Sequence, residues 1–257
     1  MSTPTVVILA AGEGTRLRPY TQDRPKCMVE FRQKPMLEWT LSGMWECGVL
    51  PQDVRVVGGY QIEKMQDLLT SHGVTQLIEN REYSRTNMVY SLGLALDGLE
   101  DLIICYSDIV WEPAIFKALL DSEHEISVVI DTLWHELWSA RMDNPLADAE
   151  TLKLGSRGEI VEIGKKPKEM SEISGQYIGL LRFRGHSLRL LQELLFCLNR
   201  DQGLILNKMF LTDLLQRLID LGLRIDPVFI NGGWVEIDSV EDLNRLKNYP
   251  GLSRGLV

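Results

Sequence analysis

Residues 9–18 read Leu-Ala-Ala-Gly-Glu-Gly-Thr-Arg-Leu-Arg, directly after the apolar run that starts at Thr5. A buried strand here empties into a glycine-bearing loop that ends in Thr and Arg. Gly12 and Gly14 carry no Cβ, so the backbone N–H groups of Leu9, Ala10, Ala11, Gly12, Glu13, Gly14 and Thr15 can come close to a polyphosphate. Arg16 and Arg18 add charge-assisted contacts. Two familiar phosphate loops do not match. A Walker loop needs Lys after its last glycine, and a dinucleotide fingerprint needs a third glycine where Leu17 stands.

Outward from this loop, strand patterns alternate with helical ones at roughly 20–25 residues, as in a helix-covered and mostly parallel sheet. Strands are expected near Thr5–Ala10, Val54–Val57, Thr75–Ile78, Leu102–Tyr106 and Ile126–Ile130. Helices are expected near Met36–Cys47, Ile62–Ser71, Met88–Leu96 and Pro113–Leu120. The second half is less regular. Strands at Thr151–Leu154, Glu159–Gly164 and Gln176–Phe183 suggest an antiparallel part, with Gly155–Gly158 as a hairpin turn. Helices at Ser187–Leu198 and Thr212–Leu221, a strand at Arg224–Ile230 and a helix over Val240–Asn248 follow. No Pro/Gly/Ser-rich linker interrupts residues 1–257. The expectation is one α/β domain, with a nucleotide-binding half at 1–132 and an acceptor-binding half at 133–257 that carries an inserted substrate-binding part. The net charge of −9 argues against nucleic acid or an anionic membrane as partner. Cys27, Cys47, Cys105 and Cys197 fit neither a zinc site nor a disulfide framework, and with no membrane span or signal-like segment they suggest the cytoplasm. Cys27, next to Lys26, is either a low-pKa thiol or a small packed hydrophobe.

Two aspartates stand at strand ends. Asp108 follows Leu-Ile-Ile-Cys-Tyr-Ser, and Asp238 follows Trp-Val-Glu-Ile. Ligands of open α/β sheets bind outside the carboxyl ends of strands, so both would reach the cleft of the glycine loop. A carboxylate pair facing a triphosphate suits Mg²⁺, a hard cation that takes oxygen ligands; the alternative for Asp108 alone is a helix cap. Glu236 is a weaker third candidate. Lys26 is a compact charge suited to a phosphate oxygen. Lys165 and Lys166 form a second cationic point, and spacing does not choose between them. Gly58, Gly59 and Tyr60 end a strand in a way that lets a flat base approach the backbone. Thr86 and Asn87 open a helix; Asn87 is either an N-cap or a reader of a base edge. Residues 137–146 show no simple periodicity and suggest a substrate lid or an edge excursion. In the wider segment 134–150, Trp134 and Trp138 can face a cationic nitrogen, with Asp143, Asp148 or Glu150 to pair with it, and Arg141 can hold a carboxylate.

The loop, Arg24-Pro25-Lys26, Asp108, Lys165–Lys166 and Asp238 together resemble the nucleotidyltransferase superfamily. Pro25–Glu30, Val56–Tyr60, Thr86–Tyr90, Asn144–Lys153 and Gln176–Leu180 resemble segments of bacterial capsule-biosynthesis and phosphocholine-type cytidylyltransferases. The resemblance implies a Rossmann-like mixed sheet of the nucleotide-diphospho-sugar transferase type. It implies Mg²⁺ at Asp108 and Asp238, Lys26 on the nucleotide phosphates and a second lysine on the acceptor phosphate. It also implies cytosine near Gly58, Gly59 and Asn87, and it brings Tyr177 to the acceptor side. The expected substrates are CTP and a small phosphorylated acceptor, an L-glutamine phosphate or a phosphocholine-like compound. Ser107-Asp108 departs from the Gly-Asp of the long sugar nucleotidyltransferases. That departure weakens a sugar-1-phosphate nucleotidylyltransferase, which stands as the alternative enzyme; a non-catalytic nucleotide-binding regulator is the alternative of another class.

Overall fold

The computed structural model describes residues 3–255, without the side chains of residues 201–204. The strands are β1 (Thr5–Ala10), β2 (Glu30–Phe31), β3 (Lys34–Pro35), β4 (Val54–Gly58), β5 (Gln76–Glu79), β6 (Asp101–Tyr106), β7 (Ile109–Trp111), β8 (Ile126–Asp131), β9 (Leu152–Leu154), β10 (Ile160–Ile163), β11 (Gln176–Arg184), β12 (Asp226–Ile230) and β13 (Trp234–Glu236). The helices are α1 (Met36–Glu46), α2 (Gln66–Ser71), α3 (Met88–Gly93), α4 (Pro113–Asp121), α5 (Trp134–Arg141), α6 (Gly185–Leu206), α7 (Leu211–Asp220) and α8 (Val240–Leu246).

Alternation along β1 sets the architecture. Val6, Ile8 and Ala10 enter one core cluster, while Val7 and Leu9 enter another. A strand buried on both faces must lie between two helical layers. Leu37, Leu41 and Met44 of α1 and Phe116 of α4 cover the first face; Val89 of α3, Leu191 of α6 and Leu215 of α7 cover the second. Among the described residues the main sheet has the order β12-β8-β11-β6-β1-β4-β5. β11 runs antiparallel to β6 and β8, and the remaining pairings are parallel. This is the mixed, mostly parallel sheet expected. The β9–β10 hairpin forms beside it, turning at Gly158 with φ 79°.

Three local expectations are corrected. Residues 137–146 are not an aperiodic loop: α5 runs to Arg141, and Trp134, Leu137, Trp138 and Arg141 are its buried positions. Their spacing is a helical stripe whose last member is an arginine, which broke the apolar pattern. The helix expected over Ile62–Ser71 begins as a 3-10 turn, Ile62–Met65. The antiparallel ribbon β7–β13 was not expected at all; its strands are three residues long.

Arg32, in the left-handed region at φ 48°, ties distant chain together. Its guanidinium donates to the carbonyls of Lys247, Tyr249, Leu252 and Arg254 at 2.6–2.9 Å. No helix among the described residues is long and apolar enough to cross a membrane.

Candidate active site

Because β1, β4 and β6 are parallel and in register, their carboxyl ends share one edge of the sheet. The loop after β1, Gly59 after β4 and Ser107-Asp108 after β6 therefore meet there. The ribbon adds the last component. Glu236 pairs with Ile109 across β7–β13, and the Ile237 N–H donates to the Asp108 carbonyl at 2.9 Å. Those bonds set Glu236 and Asp238 beside Asp108.

The resulting cleft has a volume of about 310 Å³. Leu9, Ala10, Ala11, Gly12, Gly14, Thr15 and Arg16 line it on one side, and Lys26, Asp108 and Asp238 lie at its base. Thr86 and Asn87 close the far wall, with Asn80, Tyr83, Met88 and Ser91. Gly12 has open space where a Cβ would stand, so the loop backbone is bare to the cleft. Gly14 serves a different need. It is left-handed at φ 63°, and a Cβ there would stand 2.8 Å from Lys26 Cβ. Its glycine lets Lys26 pass under the loop.

Three carboxylates, from Asp108, Glu236 and Asp238, offer oxygens within 4.8 Å of one another. Lys26 Nζ donates to Asp108 Oδ2 at 2.6 Å and also to Asp238 Oδ1. Arg16 stands 3.1 Å from Asp238 Oδ2. Burial works against ionisation of Asp238, but Lys26, Arg16 and Arg141 outweigh it and hold the carboxyl below its ordinary range. For Glu236 burial wins. Despite Arg141, desolvation with the charges of Asp238 and Asp108 pushes it up to about 8. Asp108 Oδ1 is buried and has no hydrogen-bond partner among the described residues. An orphan carboxylate oxygen beside two more carboxylates is a donor set that a hard divalent cation satisfies.

The cleft does not gather every residue expected of it. Gly58 and Gly59 do not bare the backbone to a base: Met65 and Ile62 fill the space beside Gly58, and Tyr83 and the Ala11 carbonyl fill that beside Gly59. They allow close packing behind the wall. Tyr60 braces it, its hydroxyl donating to the Gln22 carbonyl at 3.0 Å and its N–H to Ala11. The Glu13 side chain turns to Arg18, 3.6 Å away. Asn87 is the N-cap of α3 and also donates towards the Lys208 carbonyl. Cys27 is a packed hydrophobe whose thiol burial pushes up to about 12.

The acceptor residues are corrected more sharply. Trp138 is core, 4% exposed, with ring centroids 5.8 Å from Trp134 and 6.0 Å from Trp234. Asp143 is exposed and pairs with Arg245. Arg141 is not free for a substrate carboxylate, because Glu236, Asp238 and Asp242 already surround it. Tyr177 stands beside the site through Tyr106, edge to face at 5.7 Å, and its hydroxyl is buried. Lys165 is exposed and paired with Glu162 at 2.6 Å. Lys166 instead reaches back to the carbonyls of Leu146 and Ala147.

Asn80, with Tyr83, Met88 and Ser91, is among the wall residues that the sequence reading does not name as part of the site. It is 1% exposed, and its amide donates to Thr86 Oγ1 and Ser91 Oγ, each at 3.0 Å. It follows β5 directly, so the strand-end rule that found Asp108 also pointed to it.

Over residues 6–158 the sequence matches the MobA-like NTP transferase domain. The chain belongs to that family. It is therefore a nucleotidyltransferase. A CTP:phosphoglutamine cytidylyltransferase of Campylobacter jejuni is 37% identical over 92% of this chain and 96% of its own length. A choline-phosphate cytidylyltransferase of Streptococcus pneumoniae is 37% identical over a shorter stretch, 40% of this chain and 43% of its own. The solved structure of the CTP:phosphocholine cytidylyltransferase from Streptococcus pneumoniae superposes with a TM-score of 0.71 at 20% identity, covering 95% of this chain and 97% of that one. That likeness shows the nucleotidyltransferase fold.

Proposed function

We propose that this nucleotidyltransferase is a cytidylyltransferase: it moves CMP from CTP to a small phosphorylated acceptor and releases pyrophosphate. The observation that carries the reading is the meeting of a bare glycine loop, Lys26 and a three-carboxylate cluster with an orphan oxygen in one cleft. The relatives supply the choice of CTP and of the acceptor. Phosphorylated L-glutamine is the first compound to try, because the relative that acts on phosphoglutamine matches along nearly the whole chain.

In this reaction an acceptor phosphate oxygen attacks the α-phosphorus of CTP, and pyrophosphate leaves on the opposite side. No protein nucleophile is needed. The backbone of residues 11–14 and Arg16 hold the triphosphate, and Lys26 offers an ammonium to its oxygens. Thr86, Asn87 and Ser91, braced by Asn80, face the base. Lys166 is assigned to the acceptor phosphate, with Tyr177 beside it. Asp108 and Asp238, with Glu236 as a third ligand, would hold Mg²⁺. When bound, the cation supplies positive charge that offsets repulsion between the two phosphates. Residues 1–132 and 133–257 thus act as the nucleotide and acceptor halves of one domain. Four unpaired cysteines support a place for it in the cytoplasm.

The test offers CTP or UTP with Mg²⁺ to a panel of phosphorylated L-glutamine, phosphocholine and sugar 1-phosphates. Pyrophosphate and the nucleotide-linked product are followed. A CDP-linked amino acid with a higher kcat/KM for CTP is expected. Equal kcat/KM for CTP and UTP, or turnover of sugar 1-phosphates alone, refutes the cytidylyltransferase reading. No pyrophosphate from any pair would make the chain a nucleotide-binding regulator.

A further inference from the structure

Arg141 ends α5 with a side chain only 2% exposed. Its Nη1 stands 2.5 Å from Glu236 Oε2, and its Nε donates to Asp242 Oδ1 at 3.1 Å. Nη2 lies 3.7 Å from Asp238 Oδ2. The other oxygen of Asp242 accepts from the Asp238 N–H, the Ser239 N–H and the Ser239 hydroxyl at 2.9–3.0 Å. Arg141 therefore grips Glu236 directly and Asp238 both through space and through the backbone that Asp242 holds. Its guanidinium also rests on the Trp138 ring, 5.3 Å from the centroid. That contact fixes the plane of the fork.

We propose that Arg141 is a positioning residue for the carboxylate cluster: it sets Glu236 and Asp238 to receive a divalent cation and does not touch the acceptor. The inference rests on the metal reading above. Its physical ground is the shape of the group. A guanidinium offers five donors along its edges and can hold two or three carboxylates at once in fixed directions. A lysine ammonium keeps the charge and loses the fork. Without the fork, nothing fixes the directions of Glu236 and Asp238, and their oxygens no longer converge. Residues that orient metal ligands typically matter by 10–100-fold in metal affinity.

The experiment measures Mn²⁺ binding by electron paramagnetic resonance to the intact protein, without CTP or acceptor, for the wild type, Arg141→Lys and Asp242→Asn. Thermal melting confirms that each is folded. Arg141→Lys is expected to bind Mn²⁺ roughly tenfold or more weakly. Its activity should recover as Mn²⁺ is raised, with the KM for the acceptor unchanged at saturating metal. A folded Arg141→Lys that binds Mn²⁺ like the wild type overturns the proposal. So does an acceptor KM that rises while metal affinity holds, which would make Arg141 an acceptor reader. If Arg141→Lys does not fold, Asp242→Asn decides. It keeps an oxygen for the backbone N–H groups but turns an amide towards Arg141 Nε, and wild-type affinity there overturns the proposal too. A wild type that binds no Mn²⁺ refutes the metal site itself, and this inference with it. Loss of cytidylyl transfer with normal Mn²⁺ binding would instead fail the proposed function and leave Arg141 in place.

Discussion

Asp108→Asn separates chemistry from folding because the electrostatic terms at this position nearly cancel. Oxygens of Glu236 and Asp238 lie within 4.8 Å of Asp108; above about pH 8, where Glu236 is ionised, that means about 3.5 kcal/mol of repulsion from each at an effective dielectric of about 20, roughly 7 together. Lys26 Nζ lies 2.6 Å from Oδ2, an attraction of about 6 kcal/mol on the same footing. Removing the charge therefore changes the folded state by about 1 kcal/mol, a melting shift of about 2–4 °C for a chain of this size. The rate should respond differently. Losing one carboxylate of the cluster removes about 3–4 kcal/mol of transition-state stabilisation, or roughly 10²–10³-fold. The assay is pyrophosphate release from CTP and phosphorylated L-glutamine, with thermal melting in parallel at about pH 9, where Glu236 carries its charge. Wild-type turnover in a folded Asp108→Asn refutes the role of the cluster. A large melting drop would refute the balance of charges just drawn.

Gly59→Ala places a Cβ 2.5 Å from Tyr83 Cβ and 2.9 Å from the Ala11 carbonyl, so it should cost about 1–3 kcal/mol, seen as a lower melting temperature; an unchanged melt would show that the wall is loosely packed. Lys166→Ala should raise the acceptor KM roughly tenfold or more with little change for CTP, whereas Lys165→Ala, whose ammonium is paired with Glu162, should not; the reverse pattern moves the role to Lys165. Glu236 is raised to about 8, above the 4.5 of the unfolded chain, so its contribution to stability is full below about pH 4.5 and is lost as pH rises through about 8. Mg²⁺ binds the ionised form, so its stabilising effect should grow with pH across that window; a thermal shift that is flat in pH excludes Glu236 as a ligand.

The sheet, and the meeting of the glycine loop with the strand-end aspartates, are legible because both rest on local pattern. An apolar run before Gly12 and Gly14, and aspartates just after strands, follow from rules that act within a few residues. Asn80 obeys the same rule, but a single asparagine after a strand reads as a turn. The acceptor half was read poorly for a physical reason. In α5 a charged residue sits at a buried position, and the carboxylates that hold it most closely, Glu236 and Asp242, lie about a hundred residues on. Trp138 looked available for the same reason: its partner Trp234 is remote in sequence. The reliable signs were those whose chemistry is complete within one segment.

The Arg32 clamp and the β7–β13 ribbon bear on when the protein acquires its activity during synthesis. Lys26 and Asp238 are 212 positions apart, and Arg32 reaches carbonyls 215–222 positions away. Such contacts close very long loops, which makes them late and slow events in folding. The glycine loop after β1 is translated first, yet the base of its cleft stays without Glu236 and Asp238 until Trp234–Glu236 pairs with Ile109–Trp111. A ribosome-bound chain that stops short of this ribbon is silent in catalysis even with its first β-strands folded. The clamp from Arg32 to Arg254 then acts as a latch on the completed site, so pulse-labelled chains should gain hydrogen-exchange protection at the sheet before they gain turnover.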